Sequence, residues 1–441
     1  MSTLRFLKEW DLRSEWRFIM RNINYRSKKA ICSICVIVAL WSLCMYAATL
    51  PPDPDNAALL YYQAFLLRPD PDAETSASID KVIRGGEPDE KLREYLNLSD
   101  CRETIEFAEA AAQLPYCNWG IRFSQGLGAR LPQLEHFRPL RFLLYADARV
   151  LAMDGDYHAA LNRCLTIRRI ASHVGDDTML NYVVSTDIDG SALRYIQNIL
   201  GSMLPDAEIL TWLRGQLASV QGAVLSPARV LEMDLELIMQ SMRNDPNDLL
   251  WLREQLVEDN EGKSAEYFWN MTDEELLALI TEPYADFLDY ALGVIDSEMP
   301  YEEKYVELQR LTDKFKEEFS NIPGTNQLAI AFAPQIIEIY SLQVRYTAQF
   351  NALKSAIGIY LVTANTGRLP DTLPDYLPKD PFSGQDFEYE FTEDGFILRC
   401  RAKDIYWTSH TLWPPNTPPD VLARSIVYEY EYKIQSNTES N

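Results

Sequence analysis

One stretch of this chain carries no charge at all. From Ala30 to Pro52 there is no Asp, Glu, Lys, Arg or His, and the apolar core of the run, Ala30 to Leu50, includes Ile31, Ile34, Val36, Ile37, Val38, Leu40, Trp41, Leu43 and Met45. At about 1.5 Å rise per residue, roughly 20 residues of helix cross the ~30 Å hydrocarbon core of a bilayer. The length excludes an ordinary signal-peptide core, which runs about 7–15 residues behind a short basic region. Here 29 residues precede the run, and Tyr46-Ala47-Ala48 is a poor cleavage site. The run therefore reads as a retained transmembrane helix, a signal-anchor at residues 30–50.

Charge orients that span. Residues 1–50 hold eight basic side chains, including Arg26, Lys28 and Lys29 just before the run, and three acids (Glu9, Asp11, Glu15), a net of +5. The whole chain is −24, so the rest carries −29. By the positive-inside rule the N-terminus is expected in the cytoplasm and the acidic body outside, with one span in the inner (cytoplasmic) membrane and the C-terminal part periplasmic or extracytoplasmic. Leu4, Phe6, Trp10, Trp16 and Phe18 mix with Arg and Lys in the segment before the span, as a helix on the membrane face or a loose tail would. An acidic body also argues against nucleic acid as a partner, since phosphate binding requires a basic footprint.

Beyond Pro51-Pro52 the 3.6-residue period dominates, and the fold class is expected to be mainly α. Helices are expected at Asn56–Arg68, Asp89–Leu114, Arg141–Met153, Tyr157–Val174 and Asp177–Leu204. More follow at 205–221, 227–243, 246–257, 272–298 and 300–320, where Pro205, Pro227, Pro246 and Pro300 sit at first helical turns. A last helix is expected from Leu328 to Thr363. Asp154-Gly155-Asp156 joins two of these helices as an αα-hairpin. Ala148, Gly155, Tyr157 and Ala160 stand at the small and turn positions of a tetratricopeptide unit, without a repeating array. The period then changes to two: Phe387, Tyr389 and Phe391, then Phe396, Leu398 and Cys400, joined through Asp394-Gly395, then Ile426 to Ile434. The expected organisation is a basic segment at 1–29, a span at 30–50, an acidic helical domain at 51–326, a long helix with a small antiparallel sheet at 327–434, and a disordered tail at 435–441.

Candidate chemistry is sparse. Glu232, Asp234 and Glu236 form an acidic cluster that reads as a solvated face, with Glu232 and Glu236 on one side of a helix and Asp234 pointing away. His136, His158, His173 and His410 show no zinc-binding spacing. Asp187-Ile188-Asp189-Gly190 resembles part of an EF-hand, but Ser185 and Ile196 stand where ligands belong, so helix interior is the better reading. Gly126-Leu127-Gly128 lacks the third glycine of a dinucleotide loop. Cys32-x-x-Cys35 and Cys44 fall within the apolar run. For Cys101, Cys117, Cys164 and Cys400 free buried thiols are the default reading, and Cys101 with Cys117 is the pair best placed if a disulfide forms. No residue qualifies as catalytic, cofactor-binding or metal-ligating, and no cofactor is expected. Whether the chain is an enzyme is open, and binding or scaffolding is favoured.

The segment from Ala348 to Asp404 resembles the globular end of the major pseudopilin of type II secretion systems. The resemblance rests on Gly367-Arg368-Leu369-Pro370 after a helix, Asp380-Pro381-Phe382-Ser383-Gly384, Phe387-Glu388-Tyr389 and Asp394-Gly395-Phe396. It implies a helix packed on a small sheet, and a place in a secretion or pilus-like assembly. The family's calcium-holding loop is matched here only by Asp404, so no calcium site is carried over. Asn56-Ala57-Ala58-Leu59-Leu60-Tyr61-Tyr62-Gln63-Ala64 behind the span is similar to uncharacterised membrane-anchored proteins of planctomycete-type bacteria. That likeness implies protein partners in the cell envelope and no assigned activity; an envelope hydrolase without a recognisable motif is the remaining alternative.

Overall fold

Asn56 starts the first helix by doing two jobs. Its side-chain oxygen accepts from the Ala58 N–H (3.2 Å), capping α1 (Ala57–Leu67), and from the Asn118 N–H (2.8 Å), which ties the helix start to a loop 62 residues further on. The same logic repeats down the chain. Asp72 caps α2 (Ala73–Ile83) and Asp89 caps α3 (Glu90–Leu96) through main-chain N–H groups three residues on. The computed structural model describes residues 53–175, 177–220, 222, 227–258, 263–320, 335–406 and 427–435. The expected span at 30–50 lies outside the described residues, and among those described no helix is long and apolar enough to cross a membrane.

The expected helix Asp89–Leu114 is two helices. After α3 the chain breaks at Leu98 (ψ 141°) and resumes as α4 (Ser99–Gln113). The apolar stripe explains the break: Leu92, Tyr95 and Leu96 mark one face, but the next buried positions are Cys101, Ile105 and Ala108, out of phase with a continuous 3.6 repeat. Helix α1 then packs along α4.

The centre is three helices in sequence: α5 (Leu134–Met153), α6 (Tyr157–Val174) and α7 (Met179–Leu200), each touching the other two. Helix α5 begins before Pro139, earlier than the expected Arg141, and takes the proline inside. Gly155 adopts φ 84° in the turn between α5 and α6, and Ala148 and Ala160 are fully buried where the two helices approach. Helices α8 (Ala207–Ser219), α9 (Pro227–Asn244), α10 (Pro246–Glu258), α11 (Lys263–Asn270), α12 (Asp273–Asp296) and α13 (Tyr301–Ser320) follow. Thr272 and Glu275 close a reciprocal capping box at the start of α12.

Helix α14 (Gln335–Thr366) is apolar around most of its circumference, and it contacts α7, α8, α9 and α13. A helix of this kind belongs inside a protein. Ile336, Ile339, Ala348, Ala352, Ala356 and Ile359 are all fully buried, and each large aliphatic side chain so buried contributes about 1.5–3 kcal/mol. The period-two segments form strands β1 (Glu388–Thr392), β2 (Gly395–Arg399) and β3 (Glu429–Lys433), one antiparallel sheet in that order. Phe396 faces Tyr432 and Leu398 faces Tyr430. Tyr360 of α14 meets the aromatic face at Phe396 (5.7 Å) and donates its hydroxyl to the Lys433 carbonyl (2.6 Å). Gln435, placed in the expected tail, donates to the Gly201 carbonyl (3.2 Å); residues 436–441 lie outside the described residues.

The described residues from Asp55 onward form one compact unit. The expected boundary at 326/327 lies outside the described residues.

Candidate functional site

Pro115 stops α4, and the chain from Leu114 to Arg122 runs without helix across the end of α6. This loop is held from three sides. Asn56 grips it through both side-chain atoms, accepting from Asn118 N–H and donating to the Asn118 carbonyl (2.9 Å). Asn118 in turn accepts from the Gly120 N–H (2.8 Å), with Gly120 at φ 69°. The Trp119 indole N–H donates to the His173 carbonyl in the last turn of α6 (2.7 Å). Beneath the loop, Trp119 stacks on Tyr61 (5.5 Å) and meets Phe137 edge-on (5.3 Å). Aromatic pairs in these orientations stiffen the wall beyond simple burial.

What the loop encloses is a cleft of about 830 Å³. Its walls are the loop itself, Arg169 to Gly175 at the end of α6, Asn181 in the first turn of α7, and Gln216 to Val220 at the end of α8. Helix ends meet here, and Gly175 (φ 82°) turns the chain out of α6. Thr178 caps α7 by accepting from the Asn181 N–H (3.0 Å), while Asp234 accepts from the Met179 N–H (3.1 Å).

Two polar groups in these walls are unsatisfied. Arg169 Nη1 and Asn181 Oδ1 are buried and have no hydrogen-bond partner among the described residues. Asn181 is 1% exposed. Leaving such a group desolvated and unpaired costs about 1–3 kcal/mol, so it is uncommon without a reason. Burial lowers the Arg169 pKa, against smaller opposing effects of Glu109 and Tyr61.

The titratable groups nearby are set for holding rather than for proton transfer. Burial lowers the His173 pKa, against a backbone hydrogen bond at Leu114, so the ring is neutral, and its Nδ1 is engaged by the Tyr61 hydroxyl (2.9 Å). Burial pushes the Cys117 thiol up to about 12, with the Ala58 N–H acting the other way, so it is protonated and a poor nucleophile.

The structure disperses the other candidates. Glu232 and Glu236 are exposed as expected, and Glu236 pairs with Arg243 (3.2 Å). Asp234 is not a solvated acid: it is half-buried against the start of α7, where it accepts from the Met179 N–H, and burial raises its pKa against that bond. His158 lies against Trp212 (3.9 Å), and His136 stacks on Phe65 (4.9 Å). Leu127, between the two glycines at 126 and 128, donates its N–H to Ser241 Oγ (3.0 Å). His410, Cys32, Cys35 and Cys44 lie outside the described residues. Asp404 is buried and accepts from the Tyr301 (3.0 Å) and Tyr428 (2.8 Å) hydroxyls, which makes it a joint between α13 and the strand region.

Cys101, Cys117, Cys164 and Cys400 are free thiols, the default expectation, and Cys101 does not pair with Cys117. The reason is length. Cys101 stands at the start of the 15-residue helix α4 and Cys117 beyond its end. That places them about 20 Å apart along the axis at ~1.5 Å per residue, whereas a disulfide needs Cα atoms within about 7 Å.

Sequence reasoning missed the cleft residues. Arg169 and Asn181 carry no local signal, because each sits in an ordinary amphipathic helix and only the packing of helix ends brings them together. The chain matches no family model, no curated protein and no solved structure.

Proposed function

We propose that this chain is a single-pass cell-envelope protein, anchored through residues 30–50 with its N-terminus in the cytoplasm, whose acidic body binds a small ligand in the cleft beside Trp119. The observation that carries the binding reading is the 830 Å³ cleft itself, where helix ends meet and Trp119, Arg169, His173 and Asn181 line one space. A concave space of this size with several polar side chains in its lining is the usual form of a small-molecule site. Binding is favoured over turnover because the nearest histidine is neutral and engaged and the nearest thiol is protonated. The anchor is supported by the uncharged run and by the +5 to −29 charge step across it.

The test is native mass spectrometry of the full chain released from membranes in mild detergent. A small molecule lost on denaturation, and absent from Arg169→Gln, is the expected result. Ligand-free protein, with no compound stabilising it in a thermal-shift screen of small metabolites, would contradict it.

A place in a type II secretion or pilus-like assembly is the second reading. It is favoured by one arrangement: α14, then the turn at Asp380-Pro381-Phe382-Ser383-Gly384, then the small sheet, in the order the pseudopilin resemblance implies. Asp380 holds that turn by accepting from Phe382 N–H (3.0 Å), Ser383 Oγ (2.6 Å) and Arg401 N–H (2.9 Å). Crosslinking in intact membranes separates this reading from the first: it requires a secretion component among the products.

A further inference from the structure

A helix that is apolar all the way round belongs inside a protein or inside a membrane. Helix α14 is covered as that rule requires, but α1 is covered on one half only. From Asn56 to Leu67 the chain holds no charged residue, and Gln63 is the only amide side chain within α1. Ala57, Ala58, Tyr61, Ala64 and Phe65 are buried, and α1 packs along α4. On the opposite side Leu59 is 50% and Leu66 86% exposed, about two turns apart on one face, with the exposed Gln63 between them. The half-exposed Tyr62 borders this face and meets Trp119 edge-on (5.7 Å). The chain around Trp119 is uncharged as well, from Ala110 to Ile121. It is fixed to the start of α1, where the Ala57 N–H donates to the Tyr116 carbonyl (2.9 Å), and Tyr116 presents an exposed ring. Two uncharged segments of a −29 body thus lie side by side.

Connectivity decides what covers this surface. Only Asp53 to Asn56 separate α1 from the uncharged run that ends at Pro52, and an extended chain gains at most about 3.6 Å per residue, so α1 starts within ~18 Å of the end of that run. We infer that the Leu59–Gln63–Leu66 face of α1, bordered by Tyr62 and Tyr116, rests on the headgroup–acyl boundary of the bilayer that holds the anchor. The inference rests on the anchor reading above and on no property of the cleft. The two leucines enter the acyl edge, and the tyrosine rings lie at headgroup depth, where amphipathic aromatics are favoured. Charge agrees with this placement. The acidic body as a whole is repelled by lipid phosphates, whereas this face brings no charge to them, and Asp55 and Arg68 mark where its uncharged helix ends.

The experiment is photocrosslinking of the full chain in phosphatidylcholine nanodiscs, with p-benzoylphenylalanine placed at Gln63 or, as a control, at the exposed Glu302 of α13. Intact mass after irradiation reads the adducts. Lipid adducts at position 63 are expected at a yield several-fold above those at position 302. With position 63 still labelled, Leu59→Glu and Leu66→Glu together are expected to bring the yield down to the control level, because two carboxylates cannot enter the acyl edge without cost. Both leucines are exposed, so the thermal unfolding midpoint is expected to stay unchanged. Leu59→Phe with Leu66→Phe, which keeps the face apolar, is expected to retain the adducts and separates loss of the apolar face from loss of fold. Equal lipid yields at 63 and 302, or adducts that survive the paired glutamates, would overturn the inference and leave the anchor standing. A crosslink to a second copy of the chain in place of lipid would overturn it as well, by giving the face a different occupant. A chain that stays outside the discs would overturn both the anchor and the lipid-facing helix.

Discussion

The guanidinium of Arg168 and the carboxylate of Asp189 form an ion pair at 2.9 Å in the interior, with side chains 5% and 0% exposed. The Tyr346 hydroxyl donates to the second carboxylate oxygen, and Arg168 lies over the Phe350 ring (4.4 Å), so α6, α7 and α14 meet at one polar point. Removing one partner strands a charge. Arg168→Met or Asp189→Leu alone is expected to lose about 3–5 kcal/mol, and the double variant far less than the sum. Urea unfolding of the full chain in detergent checks this. Additive losses would show that the two groups do not depend on each other.

The backbone at Gly222 covers that pair. A Cβ added there would fall 1.9 Å from Asp189 Oδ2 and 2.8 Å from Arg168 Cζ, so Gly222→Ala must push the pair apart. A loss similar to that of Asp189→Leu is expected. An unchanged unfolding midpoint would mean the chain around residue 222 yields freely.

Acid should erode one helix cap only at low pH. Asp72 accepts from the Thr75 N–H (2.7 Å) and hydroxyl and faces Lys91 (3.1 Å), and these hold its pKa at about 2. A carboxyl depressed by folding stabilises fully above its unfolded value of about 3.9, and that stabilisation is lost as pH falls through the folded value. The stability difference between wild type and Asp72→Ala is therefore expected to be constant from pH 7 to about 5 and to shrink toward pH 2. A difference that widens on acidification would contradict the sign.

Much of this fold was legible from residue periodicity, and the failures have a common cause. The helices from Tyr157 onward follow amphipathic stripes with proline or glycine at their ends, and such signals are local. The sheet was legible because Phe387 to Cys400 alternates around Asp394-Gly395. Leu98 was missed because the break lies in the phase of the apolar stripe and not in a proline or glycine. Asp189 lies in a helix interior, as its local sequence indicates, but its partner is 21 residues away on α6 and its tyrosine 157 residues away on α14. Arg169 and Asn181 belong to the same class: their meaning comes from which helix ends meet, and no spacing in the chain encodes that.

Cysteine chemistry tests the free-thiol reading directly. A non-reducing peptide map is expected to recover Cys101, Cys117, Cys164 and Cys400 as free thiols. Burial raises Cys101 to about 11 and Cys117 to about 12, so alkylation of the folded chain at pH 8 should be far slower than that of the unfolded chain and should speed up with pH. A linked Cys101–Cys117 peptide would contradict this.

Strand β2 leaves no room for a side chain at Gly395. A Cβ on Gly395 would fall 2.0 Å from the Tyr432 carbonyl oxygen across the pairing with β3. Gly395→Ala is expected to destabilise by roughly 1–3 kcal/mol through forced backbone shifts, and Tyr360→Phe by about 1 kcal/mol through one lost hydrogen bond. Unfolding midpoints that rank them in the opposite order would show that α14, rather than the strand pairing, limits the sheet.

Everything proposed for the cleft depends on which side of the membrane it faces. The most direct measurement is protease digestion of spheroplasts carrying the chain with an N-terminal epitope tag. A protected, membrane-bound tagged fragment ending just after the apolar run, with the body digested from outside, is the result predicted. A full-length chain that survives until the cells are lysed, or that washes from the membrane at alkaline pH, would contradict it.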